Sequence, residues 1–464
     1  MRARLFLLLA ALALVAAPGG QAEPRPHLIL ISLDTTRADA LSSYGQVPDL
    51  LRDRGEVTPH LDRLAAEGLR FEAFWAHAPT TLNSHASMFT GRDPHSHGVP
   101  RNGYPLPPGI ETLAERLERA GWDTLGVVGA RALEAGMGIG RGFRIYDDRT
   151  SGKRAAMYQD RADRVVERAV TALDGRHRGR PLFLFVHFFD PHQPFDPPRV
   201  WRERFTDPAY QGPWKHGADD LVDLRHALRQ GRARPEDLDQ VNALYLGEIA
   251  FVDHQIGVLL EHLESEGILE HALVVVTADH GEVLSEHPPT AYSHGHDVTD
   301  GVMRVPLIVR GYGMAIGQRG VIRSQAEMAG LAPTLEEALG LEATLGDQAS
   351  FFPLLRAGPL RDQDGWPERP TRPVVLEATQ PHQDTAPPGW NNLGLWRGVR
   401  AGGWALQARP SAGEAAQVVG RSDPAVGALL SEQLRAWDAA APPWREVEMS
   451  DETVEALRAL GYLE

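Results

Sequence analysis

Residues 272–280 read Ala272-Leu273-Val274-Val275-Val276-Thr277-Ala278-Asp279-His280, an apolar run that ends in two polar side chains. The run is too short and too rich in β-branched residues for a helix, so it predicts a buried β-strand. In a parallel α/β sheet, ligands and catalytic groups gather where the strands end at their carboxyl side. Asp279 and His280 are therefore the first candidates for a functional site.

Similar apolar runs recur along the chain and predict further buried strands. They cover residues 27–33, 125–128, 181–186 and 305–309. Helical patterns lie between them, at residues 61–67, 112–120, 161–173 and 241–266. Strands that alternate with helices predict an α/β fold, with a mostly parallel central sheet flanked by helices on both faces.

The first 22 residues have the pattern of an export signal. Arg2 and Arg4 precede an apolar run, and a small-residue site ends at Ala22. The run is short for a bilayer span, so we expect cleavage after Ala22 and no membrane span in the mature chain. An uncleaved N-terminal anchor is the alternative. The pattern predicts a periplasmic or secreted protein.

The remaining chain predicts a large catalytic domain at 23–350 and a small C-terminal subdomain at 351–464. Proline, glycine and arginine become frequent from about Phe351 onward. Strand-like pieces lie at 374–377 and 404–408, and a final helix at 451–460. The charged stretch 201–240 contains several prolines and predicts an excursion over the surface, of the kind that forms a lid.

The composition restricts which partners the chain can bind and which side chain can be its nucleophile. The formal net charge is -15, which argues against binding nucleic acid through its phosphates. The chain has no cysteine, so it forms no disulfide and offers no thiol nucleophile. A nucleophile in this chain would have to be an alcohol. The sequence carries no signal for an oligomeric state.

Hydroxyl groups lie beside a histidine in residues 79–92, which read Pro79-Thr80-Thr81-Leu82-Asn83-Ser84-His85-Ala86-Ser87-Met88-Phe89-Thr90-Gly91-Arg92. The residues after Thr81 have a helical pattern, so Thr81 fits an N-cap, a nucleophile or both. A threonine hydroxyl is inert at neutral pH unless a base or a metal ion lowers its pKa. A helix N-terminus favours an approaching anion, which suits phosphate or sulfate.

Acidic side chains and histidines follow the predicted strands. Asp34 follows residues 27–33, and Asp190-Pro191-His192 follows the strand that begins at 181. Taken alone, Asp34 or Asp279 fits a helix cap equally well. The pairs Asp190/His192 and His294/His296, taken alone, fit ordinary loops. Together they are the oxygen and imidazole ligands of a divalent metal such as Zn²⁺ or Mn²⁺.

These segments together resemble the sulfatase-like hydrolases of the alkaline phosphatase superfamily. The resembling motifs are residues 33–39, 58–65, 81–92, 185–192, 245–260, 275–282, 294–295 and 304–309. The resemblance implies the sandwich of that superfamily, with its mostly parallel central sheet between helices and a small C-terminal subdomain. It also implies a metal-dependent hydrolase whose substrate is a small anionic ester.

Three departures separate the chain from the sulfatases proper. Thr81 stands where sulfatases oxidise a cysteine or serine to formylglycine, and threonine would give a ketone instead of an aldehyde. The lysines that sulfatases place around the sulfate have no counterpart near Val128 to Arg131. Thr35 stands where many sulfatases have a second aspartate. With these departures, the chain resembles the phosphatase and phosphodiesterase branches of the superfamily, where threonine is the nucleophile.

The resemblance to those branches implies two metal ions. Its first ion would be held by Asp34, Asp279 and His280. Its second would be held by Asp190, His192 and His294, with His296 as a rival for the last place. We expect Zn²⁺ at both positions, with Mn²⁺ or a single ion as alternatives. His85 and His296 are the candidates for substrate contact.

The resulting hypothesis is an exported hydrolase of phosphate monoesters or diesters that forms a covalent phosphothreonine at Thr81. Three alternatives stay open. They are a sulfuric ester hydrolase that acts without formylglycine, a phosphotransferase in which an alcohol replaces water, and a noncatalytic binding protein that kept the fold.

Overall fold

The computed structural model describes residues 24–45, 56–150, 160–218, 221–316, 319–358, 373–379, 396–409, 416–420 and 423–443. The predicted signal segment 1–22 and the predicted helix 451–460 lie outside the described residues.

The large domain is built on one sheet, to which the described part of the chain contributes nine strands. They are β1 (His27–Leu33), β2 (Leu69–Trp75), β3 (Asp123–Val128), β4 (Ile145–Asp147), β5 (Leu182–Phe188), β6 (Ala272–Ala278), β7 (Arg304–Tyr312), β8 (Gly320–Ile322) and β9 (Ala326–Glu327). The order is β4-β3-β5-β1-β6-β7-β2-β8, and β9 also pairs with β2. Only β7 runs antiparallel to its neighbours, β6 and β2, among these pairs. The prediction of a mostly parallel sheet is confirmed.

Helices flank this sheet, and the predicted ones form close to their predicted bounds. They are α1 (Pro59–Glu67), α2 (Thr81–Thr90), α3 (Pro94–His97), α4 (Leu113–Arg119), α5 (Ala162–Asp174), α6 (Arg199–Phe205), α7 (Val222–Arg229), α8 (Pro235–Ser265), α9 (Asp300–Met303), α10 (Leu331–Ala338) and α11 (Phe352–Ala357). Helix α8 begins six residues before the predicted start at 241, because Pro235 occupies its first turn, where a proline costs no hydrogen bond.

Strand β1 lies in the middle of the sheet and sets the position of the site. Its last residue, Leu33, is level with Phe188 of β5 and with Ala278 of β6. Because all three strands run parallel, their carboxyl ends meet at one edge of the sheet. Asp34 and Asp279, which each follow their strand directly, are therefore placed side by side.

Helix α8 is the most apolar long helix among the described residues. By length and composition alone it could cross a membrane, but 83% of its most apolar stretch is buried inside the protein. That burial is typical of a core helix.

The stretch 201–240 differs from its prediction as a surface excursion. It contains α7 and the start of α8, and Phe205, Leu221 and Leu224 are buried together with Tyr245 of α8 in a second hydrophobic cluster. Charged residues and prolines separate these apolar side chains, so the sequence pattern did not indicate that they would be buried together. The prediction is wrong for these buried residues, which form a small core against α8, whereas most described residues of the stretch are exposed or half-buried.

The C-terminal part contains a four-stranded antiparallel sheet in the described residues. Its elements are β10 (Val374–Glu377), β11 (Arg397–Ala401), β12 (Trp404–Ala408), β13 (Gln417–Gly420) and the helix α12 (Pro424–Ala439). Leu430 and Leu434 of α12 pack in one cluster with Val399 and Leu406. The ring of Phe351 lies 5.3 Å from that of Phe71, so packing on the large domain continues past residue 350. The exact domain boundary stays a prediction.

Candidate metal centre and nucleophile

The turn after β1 places Asp34 at the edge of the sheet where the parallel strands end. Thr35 has a positive φ of 49°, a left-handed conformation that costs energy in a residue other than glycine. The hydroxyl of Tyr245 donates to the Thr35 carbonyl at 2.8 Å and accepts from the Arg37 amide at 3.1 Å. The Thr35 amide also donates to Oδ1 of Asp279 at 3.3 Å. Helix α8 and strand β6 thus hold the strained turn in place.

The structure brings Asp34, Asp279 and His280 together, as predicted for the first ion. Their ligand atoms all lie within 4.8 Å of one another, and all three side chains are buried. Nε2 of His280 is 3.8 Å from Oδ1 of Asp34 and 3.6 Å from Oδ2 of Asp279. The hydrogen bond from Nδ1 of His280 to the Gly281 carbonyl, 2.9 Å long, leaves the lone pair on Nε2.

The atoms of this cluster that face one another lack hydrogen-bond partners among the described residues. They are both carboxylate oxygens of Asp34, Oδ2 of Asp279 and Nε2 of His280. A buried polar atom without a partner is costly, and such atoms are rare in folded proteins. A divalent cation would satisfy all four at once, so the residues present fit a metal ion.

The ionisation of the cluster supports the same conclusion. Burial raises the pKa of Asp34, and burial together with the Asp34 charge raises the pKa of Asp279. Burial opposes the charged form of His280, but Asp279 and Asp34 outweigh it and raise its pKa. Two carboxylates so close to each other in a dry site repel, and a divalent cation would remove that repulsion.

Neither aspartate acts as a helix cap, the alternative left open by the sequence. The Asp34 carboxylate accepts no hydrogen bond from the described residues. Oδ1 of Asp279 accepts from the amides of Thr35 and His280, but no α-helix starts in the residues that follow. The capping interpretation is therefore wrong for both residues.

Helix α2 presents Thr81 at its first position. Thr80 is the N-cap residue, so the alternative of Thr81 as an N-cap is wrong by one residue. The hydroxyl of Ser84 donates to the Asp279 carbonyl at 2.6 Å, and the Leu82 amide donates to Oδ1 of Asn102 at 2.7 Å. These bonds fix the N-terminus of α2 against the end of β6, beside the metal cluster.

His85 joins the nucleophile helix to the strands beneath it. Its Nδ1 is 2.7 Å from the Thr81 carbonyl, and its Nε2 is 2.9 Å from the hydroxyl of Ser32. Burial lowers the pKa of His85 to about 3, so the ring is neutral. Its Nδ1 also lies 3.8 Å from Oδ2 of Asp279, which places Thr81 one side chain away from the metal cluster. Substrate contact by His85 stays a prediction, and in this geometry both ring nitrogens already have partners.

The predicted second ion is not supported by the position of Asp190. Its Oδ2 accepts from the Ala162 amide at the start of α5, at 2.7 Å. Burial raises the pKa of Asp190 to about 6, and its carboxyl group is also hydrogen-bonded to Glu248. Among the residues that the structure describes, Asp190 belongs to no cluster of three ligands with His192 and His294. The α5 amide and Glu248 thus already bond to the Asp190 carboxyl group, and its role as a ligand of a second ion stays a prediction.

The other two members of that set lie beside the first ion's site. The ring of His294 is 4.8 Å from that of His192 and 4.6 Å from that of His280. Nδ1 of His192 is bonded to the Gln193 carbonyl at 2.7 Å. His296 is half-buried and close enough that its charge, after burial and His280, lowers the pKa of His294. Its role as a substrate contact or a ligand stays a prediction.

Sequence reasoning missed two residues of the site. His187, in β5, has its Nε2 only 3.5 Å from Oδ2 of Asp34. Glu282 is fully buried, 3.3 Å from Nδ1 of His294, and burial raises its pKa to about 8. The signal for His187 was a lone histidine inside the apolar run of a buried strand, and Glu282 lies three residues after Asp279, which is the spacing of a capping box.

Comparison with known proteins matches this chain to one family. The family model for Sulfatase matches residues 26–341. An arylsulfatase of Clostridium perfringens is 25% identical over 67% of this chain and 74% of its own length. A multifunctional alkaline phosphatase superfamily protein of Trinickia caryophylli is 25% identical over 72% of this chain and 78% of its own.

Solved structures agree on the fold. A structure in complex with its substrate D-glucosamine-2-N,6-O-disulfate superposes with a TM-score of 0.69 and 19% identity, over 90% of this chain and 98% of its own. A phosphonate monoester hydrolase of Agrobacterium radiobacter gives a TM-score of 0.64 and 20% identity, over 90% and 95%. The chain therefore belongs to the sulfatase family, within the alkaline phosphatase superfamily of metal-dependent ester hydrolases.

Proposed function

We propose that this protein is an exported metal-dependent hydrolase of phosphate esters, with Thr81 as its covalent nucleophile. The observation that carries the proposal is the position of Thr81, which begins a buried helix fixed directly to the metal-ligand strand by Ser84. The side chain at this position is a hydroxyl group, and threonine is neither the cysteine nor the serine from which sulfatases form formylglycine.

The proposed reaction has two steps. Oγ1 of Thr81 forms a bond to phosphorus as the bond to the departing alkoxide breaks, and the threonine proton leaves with the alcohol. The oxygen of a water molecule then forms a bond to phosphorus as the bond between phosphorus and Oγ1 breaks, and one proton of that water passes to Oγ1 of Thr81. The net reaction consumes one water for each ester cleaved.

The chain's own residues prepare both steps. The positive end of the α2 dipole favours an anion next to Thr81. Asp34, Asp279 and His280 would hold the metal ion. When bound, such an ion lowers the pKa of a coordinated hydroxyl group and stabilises developing negative charge.

A second candidate is a sulfuric ester hydrolase that acts without formylglycine. It is favoured by the relatives, of which several bear the name of a sulfatase. We rank it second because sulfate esters carry less charge than phosphate monoesters, so a cationic centre stabilises them less. The multifunctional relative and the phosphonate monoester hydrolase structure give the phosphorus chemistry precedent on this fold.

Turnover of three matched substrates separates the candidates. The purified chain, loaded with zinc or manganese, is tested on an aryl phosphate, an aryl phosphodiester and an aryl sulfate. We expect phosphorus esters to be preferred, Thr81→Ala to lose turnover by about 10³-fold or more, and Thr81→Ser to keep a measurable fraction. Acid quenching with substrate labelled at phosphorus should trap label on the Thr81 peptide. Dominant sulfate turnover, or label elsewhere, contradicts the proposal.

Export is tested separately. Mass spectrometry of protein recovered outside the cytoplasm should show a chain that begins at Glu23. A full-length chain confined to the cytoplasm contradicts export but leaves the proposed chemistry unaffected.

A further inference from the structure

His187 is buried in β5 without a hydrogen-bond partner. Its side chain is fully inaccessible, and neither Nδ1 nor Nε2 has a partner among the described residues. The neighbouring ring of His85 lies 5.0 Å away, edge to face, and makes no hydrogen bond to it. A buried imidazole in this state loses its solvation and gains nothing in return, whereas an apolar side chain would avoid that cost.

The position of His187 directs it toward the metal cluster. It is level with Ser32 in the adjacent strand β1, two residues before Asp34. Its Nε2 is 3.5 Å from Oδ2 of Asp34, the oxygen on the other side of the carboxylate from the one nearest His280. A ring nitrogen of His187 also lies within 4.8 Å of an Asp279 carboxylate oxygen.

The distances around His187 suit a ligand. Its Nε2 lies 3.5 Å from one Asp34 carboxylate oxygen, and Nε2 of His280 lies 3.8 Å from the other. Ligand atoms about 2 Å from one ion in tetrahedral geometry are separated by roughly 3.3 Å, so these two distances need only a small contraction. The separation of up to 4.8 Å between His187 and Asp279 needs a larger one.

We propose that His187 is a ligand of the metal centre formed by Asp34, Asp279 and His280. The proposal rests on the proposed function only for the presence of a metal ion, not for the reaction. A second imidazole beside two carboxylates favours a cation of the zinc or manganese type over magnesium or calcium, which prefer all-oxygen sites.

The test measures metal affinity and not activity. The full chain is stripped of metal, and zinc is titrated in competition with a chromogenic chelator, for the wild type, His187→Leu and His97→Leu. His97 is the matched control, because it is equally buried but bonded to the Ser87 hydroxyl at 3.1 Å and to the Val99 amide at 3.1 Å. Thermal unfolding is recorded for each protein with and without zinc.

The two variants should give opposite signatures. We expect His187→Leu to weaken zinc binding by about 100-fold or more, since even residues behind the ligands change affinity 10- to 100-fold. Its metal-free form should unfold at or above the wild-type temperature, because no hydrogen bond is lost. His97→Leu should lower the unfolding temperature of the metal-free form and leave zinc affinity unchanged.

Wild-type zinc affinity in His187→Leu, with a less stable metal-free form, overturns the proposal and makes His187 a packing residue. A wild-type chain that binds neither zinc nor manganese overturns both this proposal and the proposed function. Weakened metal binding in His187→Leu, combined with no phosphate ester turnover by the wild type, supports the ligand and overturns only the proposed function.

Discussion

The hydroxyl of Ser84 donates a 2.6 Å hydrogen bond to the backbone carbonyl of Asp279, and both residues are fully buried. This bond joins the first turn of the helix that presents Thr81 to the strand end that presents two metal ligands. The proposed nucleophile and the proposed metal centre are therefore linked by a direct contact between residues that are 195 positions apart in the chain.

Ser84→Ala should reduce turnover more than stability. Loss of one buried hydrogen bond costs about 1 kcal/mol, but a small displacement of Thr81 can lower the rate by 10-fold or more, roughly. Thr90→Val is the matched control, because its hydroxyl bonds only to Ala86 within the same helix. Kinetics and denaturant unfolding of both variants check this, and equal rate losses would contradict the role of Ser84.

Asp279→Asn should lose bound metal and activity together. The substitution keeps the shape of the side chain but removes one of the two buried charges that favour a divalent cation. Asp253→Asn is the control, since Asp253 is also buried but accepts from the His60 and Leu61 amides at the start of α1. Elemental analysis of the purified variants gives the result, and full metal content in Asp279→Asn would show that its charge is dispensable.

Tyr245→Phe should weaken metal binding through the turn at Thr35. The variant loses two hydrogen bonds and leaves the Arg37 amide unsatisfied, which costs about 1–3 kcal/mol of stability. With its anchor gone, the left-handed turn relaxes and Asp34 moves. Tyr44→Phe is the control, because Tyr44 makes comparable bonds to the backbone of Leu307, away from the site. We expect similar losses of stability, with reduced zinc affinity only in Tyr245→Phe.

The contribution of Asp253 to stability should fall as the pH rises from about 4 to about 7. Burial raises the pKa of this carboxyl to about 7 from 3.8, although two backbone amides oppose the shift. The folded state therefore binds a proton that the unfolded state has released in this interval, and that stabilisation is lost as the carboxyl ionises. The unfolding temperature of the wild type, measured relative to that of Asp253→Asn, should therefore fall across this range. Parallel curves would contradict the shift.

The sequence was sufficient to predict the strands and helices that have strong local patterns. The buried strands β1 and β6 and the ligands that follow them, Asp34, Asp279 and His280, lie where the alternation of strands and helices predicts. Parallel strands must end at one edge, so the position of a polar residue after a strand is enough to place it. Short peripheral strands such as β4, β8 and β9 had no such pattern, because two or three residues show no periodicity.

The contacts of Asp190, a predicted ligand of the second ion, could not be predicted from the sequence. Nothing in the residues around Asp190 shows that the start of α5, 28 residues earlier, would supply an amide to its carboxylate. His187 was missed because a histidine in an apolar run looks like a tolerated core residue until its neighbours are known. Both cases depend on contacts between segments far apart in the chain, which single-sequence patterns do not record.

Helix α8 has a consequence for how the chain folds as it is synthesised. The helices against which it packs, α1, α5 and α6, all precede it in sequence, and so do the parallel strands β1, β3, β4 and β5. A chain growing from its N-terminus can therefore assemble a half-sheet with helices before α8 emerges. The most apolar long segment then meets these partners as it emerges, later residues such as Tyr292 complete its surroundings, and β6 and β7 extend the sheet from the open edge of β1. The strand order of this fold thus limits the time during which its most aggregation-prone helix is exposed to water.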